Sequence, residues 1–147
     1  MSLNNKNLAN DYLNEASFRV ETAENVINKK AYAYCVRQCQ EAVELALKAA
    51  LRIVGLDYPK WHDIGNVLIK EKVKFPEIFQ NNIPKLASIS TLLMKFRELA
   101  MYGDENSNKT PSSLFNKEVA MKALKDAKFC LEKVANMFEL FQKEIKK

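Results

Sequence analysis

The stretch that decides the fold begins at Asn116 and has the sequence NKEVAMKALKDAKFCLEKVANMFELFQKEIKK, ending at Lys147. Its apolar residues recur at alternating steps of four and three, which places them on one stripe of an α-helix of about seven or eight turns. The stripe consists of Ala120, Leu124, Ala127, Leu131, Val134, Phe138, Phe141 and Ile145. Asn116 is a suitable N-cap, and the preceding Phe115 can pack against Ala120 as a hydrophobic staple. This stretch therefore predicts a long amphipathic helix.

A second long helix is predicted from about residue 31 to residue 54. The same rhythm of four and three runs along it, and further apolar residues lie on its other sides. The rhythm is carried by Tyr32, Val36, Cys39, Val43, Ala46, Ala50 and Ile53. Because only one narrow row is strongly polar, we expect this helix to be central and to contact several others. Gly55 is well placed to end it, since glycine adopts positive φ at little cost.

The rest of the chain predicts three more helices joined by short loops. Apolar periodicity indicates helices at about residues 5–28 and 82–101, and a short helix after Asp63. Three glycines and four prolines leave few interruptions, and residues 103–113, GDENSNKTPSS, are predicted to form a surface loop. The sequence therefore predicts a single all-α domain over residues 1–147, an up-and-down bundle of four to five helices.

Charge and cysteine content exclude some functional classes. The net charge of +5 permits contact with nucleic acid, but the lysines are interleaved with glutamates and form no basic arm. Three cysteines without a CxxC pair or a histidine cluster indicate reduced, buried thiols in a cytoplasmic protein, and predict no metal site. There is no phosphate-binding glycine loop, and no cofactor is predicted. Without an apolar leader or a stretch of about 18 apolar residues, we expect neither export nor membrane insertion.

Three segments together resemble the HEPN domain family. Residues 40–49, QEAVELALKA, are similar to its second-helix signature, in which a glutamine and then a glutamate and a lysine four apart precede small and apolar residues. Residues 59–64, PKWHDI, resemble the Pro-x-x-His-Asp-Leu start of a short helix. Residues 97–104, RELAMYGD, resemble the Arg-x-x-Ala-x-Tyr-Gly-Asp end of another helix. The order and separation of the segments also fit, and the resemblance spans roughly residues 8 to 142.

The resemblance implies a fold, partners and an activity. It implies a bundle of four or five helices, commonly a homodimer, often acting with a small nucleotidyltransferase, and the broad apolar face of the helix at 82–101 would also suit self-association. Many members are metal-independent ribonucleases that use an arginine, four to six variable residues and then a histidine. Here Arg97 is present, Tyr102 stands at the corresponding position, and the only histidine is His62.

The missing histidine favours binding over cleavage. Cleaving RNA through its 2′-hydroxyl needs a group that accepts and donates protons near neutral pH, which histidine does readily. A tyrosine phenol is a hydrogen-bond donor under these conditions, and the guanidinium of Arg97 can form two parallel bonds to a phosphate. Five residues along an α-helix correspond to 500°, so Arg97 and Tyr102 lie about 140° apart. They converge only if the helix opens near Gly103 or a second subunit completes the site.

These observations define a set of candidate site residues. The candidate catalytic residues are Arg97 and Tyr102, and the candidate ligand-binding residues are Arg97, Tyr102, Asp104, Gln40, Glu44 and Lys48. Simpler roles remain open for each of them. Glu44 and Lys48 have the spacing of a helix-stabilising ion pair, although Glu44 could instead orient Arg97. Arg97 could pair with a nearby acid, and Tyr102 could pack its ring at a helix end.

Three functional hypotheses follow from the sequence. The first is a homodimeric module that binds a nucleotide or RNA, with a nucleotidyltransferase as partner. The second is a metal-independent ribonuclease of the toxin or defence type, with weak or lost activity, in which Tyr102 or a loop carboxylate replaces histidine. The third is a structural dimeric adaptor that uses its apolar helix faces.

Overall fold

The computed structural model describes residues 1–57 and 63–145. Within these ranges the chain forms α1 (Leu3–Ile27), α2 (Tyr32–Ile53), α3 (Ile64–Lys70), α4 (Glu77–Gln80), α5 (Ile83–Tyr102), α6 (Pro111–Leu114) and α7 (Lys117–Ile145). A 3₁₀ turn at Lys72–Lys74 lies between α3 and α4. The described residues contain no strand, only an isolated bridge between Asp104 and Lys109. The prediction of an all-α bundle is confirmed.

Side-chain and glycine caps set the limits of the predicted helices. The Oδ1 atom of Asn116 accepts a hydrogen bond from Val119 N at 2.9 Å at the start of α7. The Oδ1 atom of Asp63 accepts one from Gly65 N at 2.9 Å at the start of α3. Gly55, with φ 77°, follows the C-terminal end of α2, as predicted. These caps satisfy backbone groups that the helices leave unpaired, and each predicted long helix begins and ends within two residues of its expected limits.

Two one-turn helices were not predicted. Both α4 and α6 have four residues, which is too short for an apolar period of three and four to be recognised. Proline explains their positions, because Pro76 precedes α4 and Pro111 begins α6, where a missing N–H is harmless. The segment at 103–113, predicted as a surface loop, therefore ends in a helical turn. Residues 59–62 of the second family-like segment, including His62, lie outside the described residues.

The core is built around α2, as its broadly apolar sequence predicts. This helix packs against α1, α5 and α7, and 13 of its residues are buried. Five of the buried residues are alanines, at 33, 42, 46, 49 and 50, and their small side chains allow the neighbouring helices to approach closely. Larger buried side chains such as Leu47 and Leu51 fill the remaining space. The position of α2 therefore fixes where the other three long helices lie.

Most of the apolar face of α5 is covered within the chain. Leu86, Ile89 and Leu93 are buried, and the ring of Phe96 packs edge-on against Phe115 with centroids 5.4 Å apart. The last turn differs, because the side chains of Met101 and Tyr102 are 44% and 60% exposed. The self-association expected from the breadth of this face stays a prediction. In the described part of the chain, no helix is long and apolar enough to cross a membrane.

Candidate anion-binding site at the end of α5

A tight turn follows α5 and fixes where the helix ends. The helix continues to Tyr102, and Gly103 takes φ 74° and ψ −163° while its N–H bonds to the carbonyl of Leu99. Asp104 and Lys109 then exchange two backbone hydrogen bonds of 2.9 Å each. A Cβ atom on Gly103 would collide with the backbone oxygen of Lys109. The turn therefore needs glycine at this position, both for its backbone angles and for space.

Arg97 and Tyr102 do not converge within one chain. Because α5 is unbroken up to Tyr102, their side chains remain about 140° apart around the helix axis. The helix does not open before Gly103, so opening of the helix does not bring the two side chains together. Completion of the site by a second subunit stays a prediction. Both residues are exposed. Among the described residues, none forms a hydrogen bond or an ion pair with the guanidinium of Arg97, which leaves it accessible to an external ligand.

The side chain of Asp104 forms hydrogen bonds within the turn after Tyr102. Its Oδ1 atom accepts a hydrogen bond from Ser107 N at 3.3 Å. Hydrogen bonds from Ser107, first from its side chain and then from its backbone, hold the pKa of the Asp104 carboxyl below its ordinary value of 3.8. The carboxylate is therefore charged at neutral pH. It stabilises the loop and places a negative charge near Tyr102.

Gln40, Glu44 and Lys48 form a connected row on α2. Gln40 is 4% exposed, and its Nε2 atom donates to Glu44 Oε2 at 3.1 Å. The Nζ atom of Lys48 lies 3.6 Å from Glu44 Oε1, so the ion pair expected at this spacing is present. Each carboxylate oxygen of Glu44 thus has a partner in its own helix. Within the described ranges, no bond joins Glu44 to Arg97.

A cleft lies beside the end of α5 that sequence reasoning did not identify. It has a volume of about 410 Å³ and lies between the start of α2, the last turn of α5 and α6. We call it the motif cleft, and it is lined by residues that include Lys30, Tyr34, Arg37, Met101 and Ser112. No carboxylate is among its described lining residues. The cleft therefore presents two cations and two tyrosines, Tyr32 and Tyr34, beside the last turn of α5, which carries Tyr102.

A signal for Arg37 was present in the sequence. Arg37 precedes Gln40 by three residues and Glu44 by seven, so all three lie along one side of α2. The row that resembles a family signature thus continues into the motif cleft. The spacing of residues along the sequence could not show that α5 ends beside this row on α2, because the position of that end depends on how α2 and α5 cross.

The HEPN domain family model matches residues 9–143. This chain belongs to the HEPN domain family. The match covers the row on α2 and the end of α5, so the resemblance predicted from three segments is confirmed. The crystal structure of TT1696 from Thermus thermophilus has the same fold, with a TM-score of 0.70 and 24% sequence identity. The match covers 88% of this chain and 97% of that one. No curated protein sequence shows significant similarity to the chain.

The cysteines of this HEPN chain are buried in its core. Cys35, Cys39 and Cys130 are free and buried, as expected from the sequence. Burial raises the pKa of the Cys130 thiol to about 12, with a further contribution from the charge of Asp126. A hydrogen bond with Cys35, followed by burial, raises the pKa of the Cys39 thiol far above its usual range. These two thiols are therefore poor nucleophiles at neutral pH. In the described ranges, no group of three or more His, Cys, Asp or Glu residues is arranged to hold a metal ion.

The candidate site at the end of α5 is suited to holding an anion. Its cations are Arg97 on one side of α5 and Lys30 and Arg37 in the motif cleft, and neither arginine has an ion-pair partner in the described chain. Guanidinium groups bind phosphate oxygens through paired N–H donors, and a phenol adds a hydrogen bond. No described residue of the site supplies an imidazole. The arrangement can therefore bind and orient a phosphate.

Proposed function

We propose that this HEPN protein binds a phosphate of a nucleotide or of RNA at the end of α5, in a site completed by two copies of the chain. The observation that supports this proposal most directly is the exposed guanidinium of Arg97, which has no hydrogen-bond or ion-pair partner among the described residues. An exposed arginine without such partners adds little to the stability of the fold, whereas a phosphate would give it charge-assisted bonds. The cationic motif cleft at the same end of α5 adds to the positive potential.

Helix geometry supports a site with residues from two copies. With about 140° between Arg97 and Tyr102, one phosphate cannot contact both side chains of the same helix. In a twofold dimer, each residue can meet the other across the interface, because the same surface is used by both subunits. The apolar side chain of Met101, 44% exposed between the two, would then be covered by the contact.

Titration calorimetry with ATP and with a short single-stranded RNA tests this function. We expect Arg97→Ala to weaken binding at least about tenfold, since a hydrogen bond to a charged group contributes roughly 1.5–3 kcal/mol. Arg52→Ala is the matched control, because Arg52 pairs with Asp57 at 3.2 Å at the opposite end of α2. Equal affinities of wild type and Arg97→Ala would remove Arg97 from the site and overturn the proposal.

The same samples distinguish binding from ribonuclease activity. In the presence of EDTA, the binding function predicts that the RNA remains intact, because no described residue of the site offers a proton acceptor comparable to histidine. Cleavage by wild type that Arg97→Ala abolishes would instead support the metal-independent ribonuclease.

A nucleotidyltransferase partner is the second part of the proposal. It is supported by membership of the HEPN family, in which a small nucleotidyltransferase often acts with the HEPN protein. Sequencing the neighbouring genes, co-expressing the protein with any small nucleotidyltransferase found there and separating the products by size-exclusion chromatography test it. Separate elution of the two proteins would contradict this part without affecting phosphate binding.

A further inference from the structure

A groove larger than the motif cleft lies away from the motif residues. It has a volume of about 790 Å³ and lies between the end of α1, the start of α2 and the N-terminal half of α7. We use floor for its apolar lining residues, which are Ile27, Tyr32, Met121, Leu124 and Phe129, and rim for its charged ones. We call it the basic groove because of the residues at its rim.

The rim carries more lysines than carboxylates that could pair with them. Lys30, Lys117, Lys125 and Lys128 line the groove, against a single carboxylate, that of Glu132. Lys128 forms an ion pair with a glutamate on α1. The other three lysines form no ion pair with any residue that the structure describes. Grouping like charges around an apolar floor costs repulsion, and an acidic ligand would offset it.

The floor includes apolar side-chain surface that is not buried in the core. Met121 is 53% exposed, although it lies on a helix with a continuous buried stripe on another side. Lys117, Met121, Leu124 and Lys128 follow one another at steps of four, three and four, so they share one face of α7. Methionine adapts its shape to different apolar partners and is common at binding surfaces. This second face of α7 thus combines cations with apolar side chains.

The arrangement of the cations favours a helical peptide over a nucleotide. Lys117 and Lys128 are eleven residues apart, which is about 16 Å along the helix, so the charges are spread rather than directed at one phosphate. The ring of Phe129 already has Lys85 Nζ at 3.9 Å and Lys133 Nζ at 5.3 Å from its centroid, so it is not a free platform for a base. A helix with apolar residues on one face and acids on its flanks matches both the floor and the rim.

We propose that the basic groove is the docking site for an acidic amphipathic helix of a partner protein. The inference goes beyond the phosphate-binding function and does not depend on Arg97. The apolar side chains of the partner helix would cover Met121 and Leu124, and its carboxylates would lie near Lys117 and Lys125. Charge complementarity mainly raises the rate of association, while the apolar contacts set how slowly the complex dissociates.

Fluorescence anisotropy with a designed peptide tests this docking site. The probe is a labelled acidic peptide of about 16 residues, long enough as a helix to span the groove, with leucines at steps of four and three and glutamates elsewhere. We expect it to bind the full-length protein, and we expect both Lys125→Glu and Met121→Gln to weaken binding at least about tenfold. Lys143→Glu and Leu140→Gln are the matched controls, because both residues are exposed on α7 and lie outside the groove. Arg97→Ala should bind the peptide as wild type does.

Each alternative occupant gives a distinct result. Equal binding of a peptide with the same composition in scrambled order would show that charge alone drives association, and would overturn the proposal. In Arg97→Ala, which lacks the proposed phosphate contact, displacement of the peptide by ATP or oligouridine at lower concentrations than the unlabelled peptide would assign the groove to nucleic acid. Loss of self-association in Met121→Gln would assign it to a second copy of the chain. Failure of the acidic peptide to bind would also overturn it, and circular dichroism would show that each variant is folded.

Discussion

Asp104 shows how single residues shape the site. Its carboxylate holds the turn after α5, and bonds from Ser107 keep its pKa below 3.8. Because the folded-state pKa is lowered, the charged form stabilises the fold. This contribution is present above pH 3.8 and is lost as the pH falls through the folded-state pKa. Other acid-sensitive groups can unfold the protein, so the local titration is the informative measurement.

An NMR titration of the Asp104 side chain measures this effect. We expect a midpoint below 3.8 in the wild type, and a midpoint nearer 3.8 in Ser107→Ala, because the largest cause of the shift is the Ser107 side chain. Ser17→Ala, an exposed serine on α1, is the control and should leave the midpoint unchanged. The same midpoint in Ser107→Ala as in wild type would show that the hydrogen bond does not hold the carboxylate.

At the scale of elements, the end of α5 depends on Gly103. Its φ of 74° and ψ of −163° are essentially restricted to glycine, and a Cβ atom there would meet the backbone of Lys109. Gly55 at the end of α2 also has positive φ, 77°, but an added Cβ atom would meet nothing within 4 Å. An alanine at position 55 would therefore cost backbone strain alone, whereas an alanine at position 103 would cost backbone strain and a steric clash.

Urea unfolding of two alanine variants compares these positions. We expect Gly55→Ala to cost about 1–2 kcal/mol, the cost of a left-handed conformation for an L-residue. Gly103→Ala should cost more, at least about 3 kcal/mol, because the turn at 103–109 must also move. Equal losses of the free energy of unfolding would mean that the turn adapts easily, and that the end of α5 is less fixed than its geometry indicates.

The elements also show which parts of the structure were predictable. The long helices were predicted to within a few residues because each carries several turns of apolar periodicity and a local cap, such as Asn116 or Gly55. The one-turn helices α4 and α6 were not, since four residues hold no period. The pairing of Glu44 with Lys48 follows from local spacing. The motif cleft could not be predicted from local spacing, because its walls come together only where α2 and α5 cross.

At the scale of the whole molecule, the proposed site requires two copies. If Arg97 of one subunit and Tyr102 of its partner hold one phosphate, a mixture of Arg97→Ala and Tyr102→Phe chains contains heterodimers with one intact site each. After subunit exchange, half of the dimers are mixed, so about a quarter of all sites should bind with wild-type affinity. Calorimetry on the mixture and on each variant alone measures this recovery.

Two results would contradict the shared site. A sedimentation profile of a strict monomer at high concentration would leave no partner to supply Tyr102. Alternatively, mixed dimers could be demonstrated by mass spectrometry and still show no recovered binding. Arg97 would then act with residues of its own chain, such as those of the motif cleft.

The motif cleft and the basic groove meet at the turn between α1 and α2. Lys30 and Tyr32 line both, and Lys30 is held at φ 62°, a conformation that glycine or asparagine would adopt more cheaply. One ammonium group cannot neutralise two ligands at once. A ligand in the motif cleft or in the basic groove that binds Lys30 therefore weakens binding in the other. By thermodynamic reciprocity, the two ligands lower each other's affinity by the same factor.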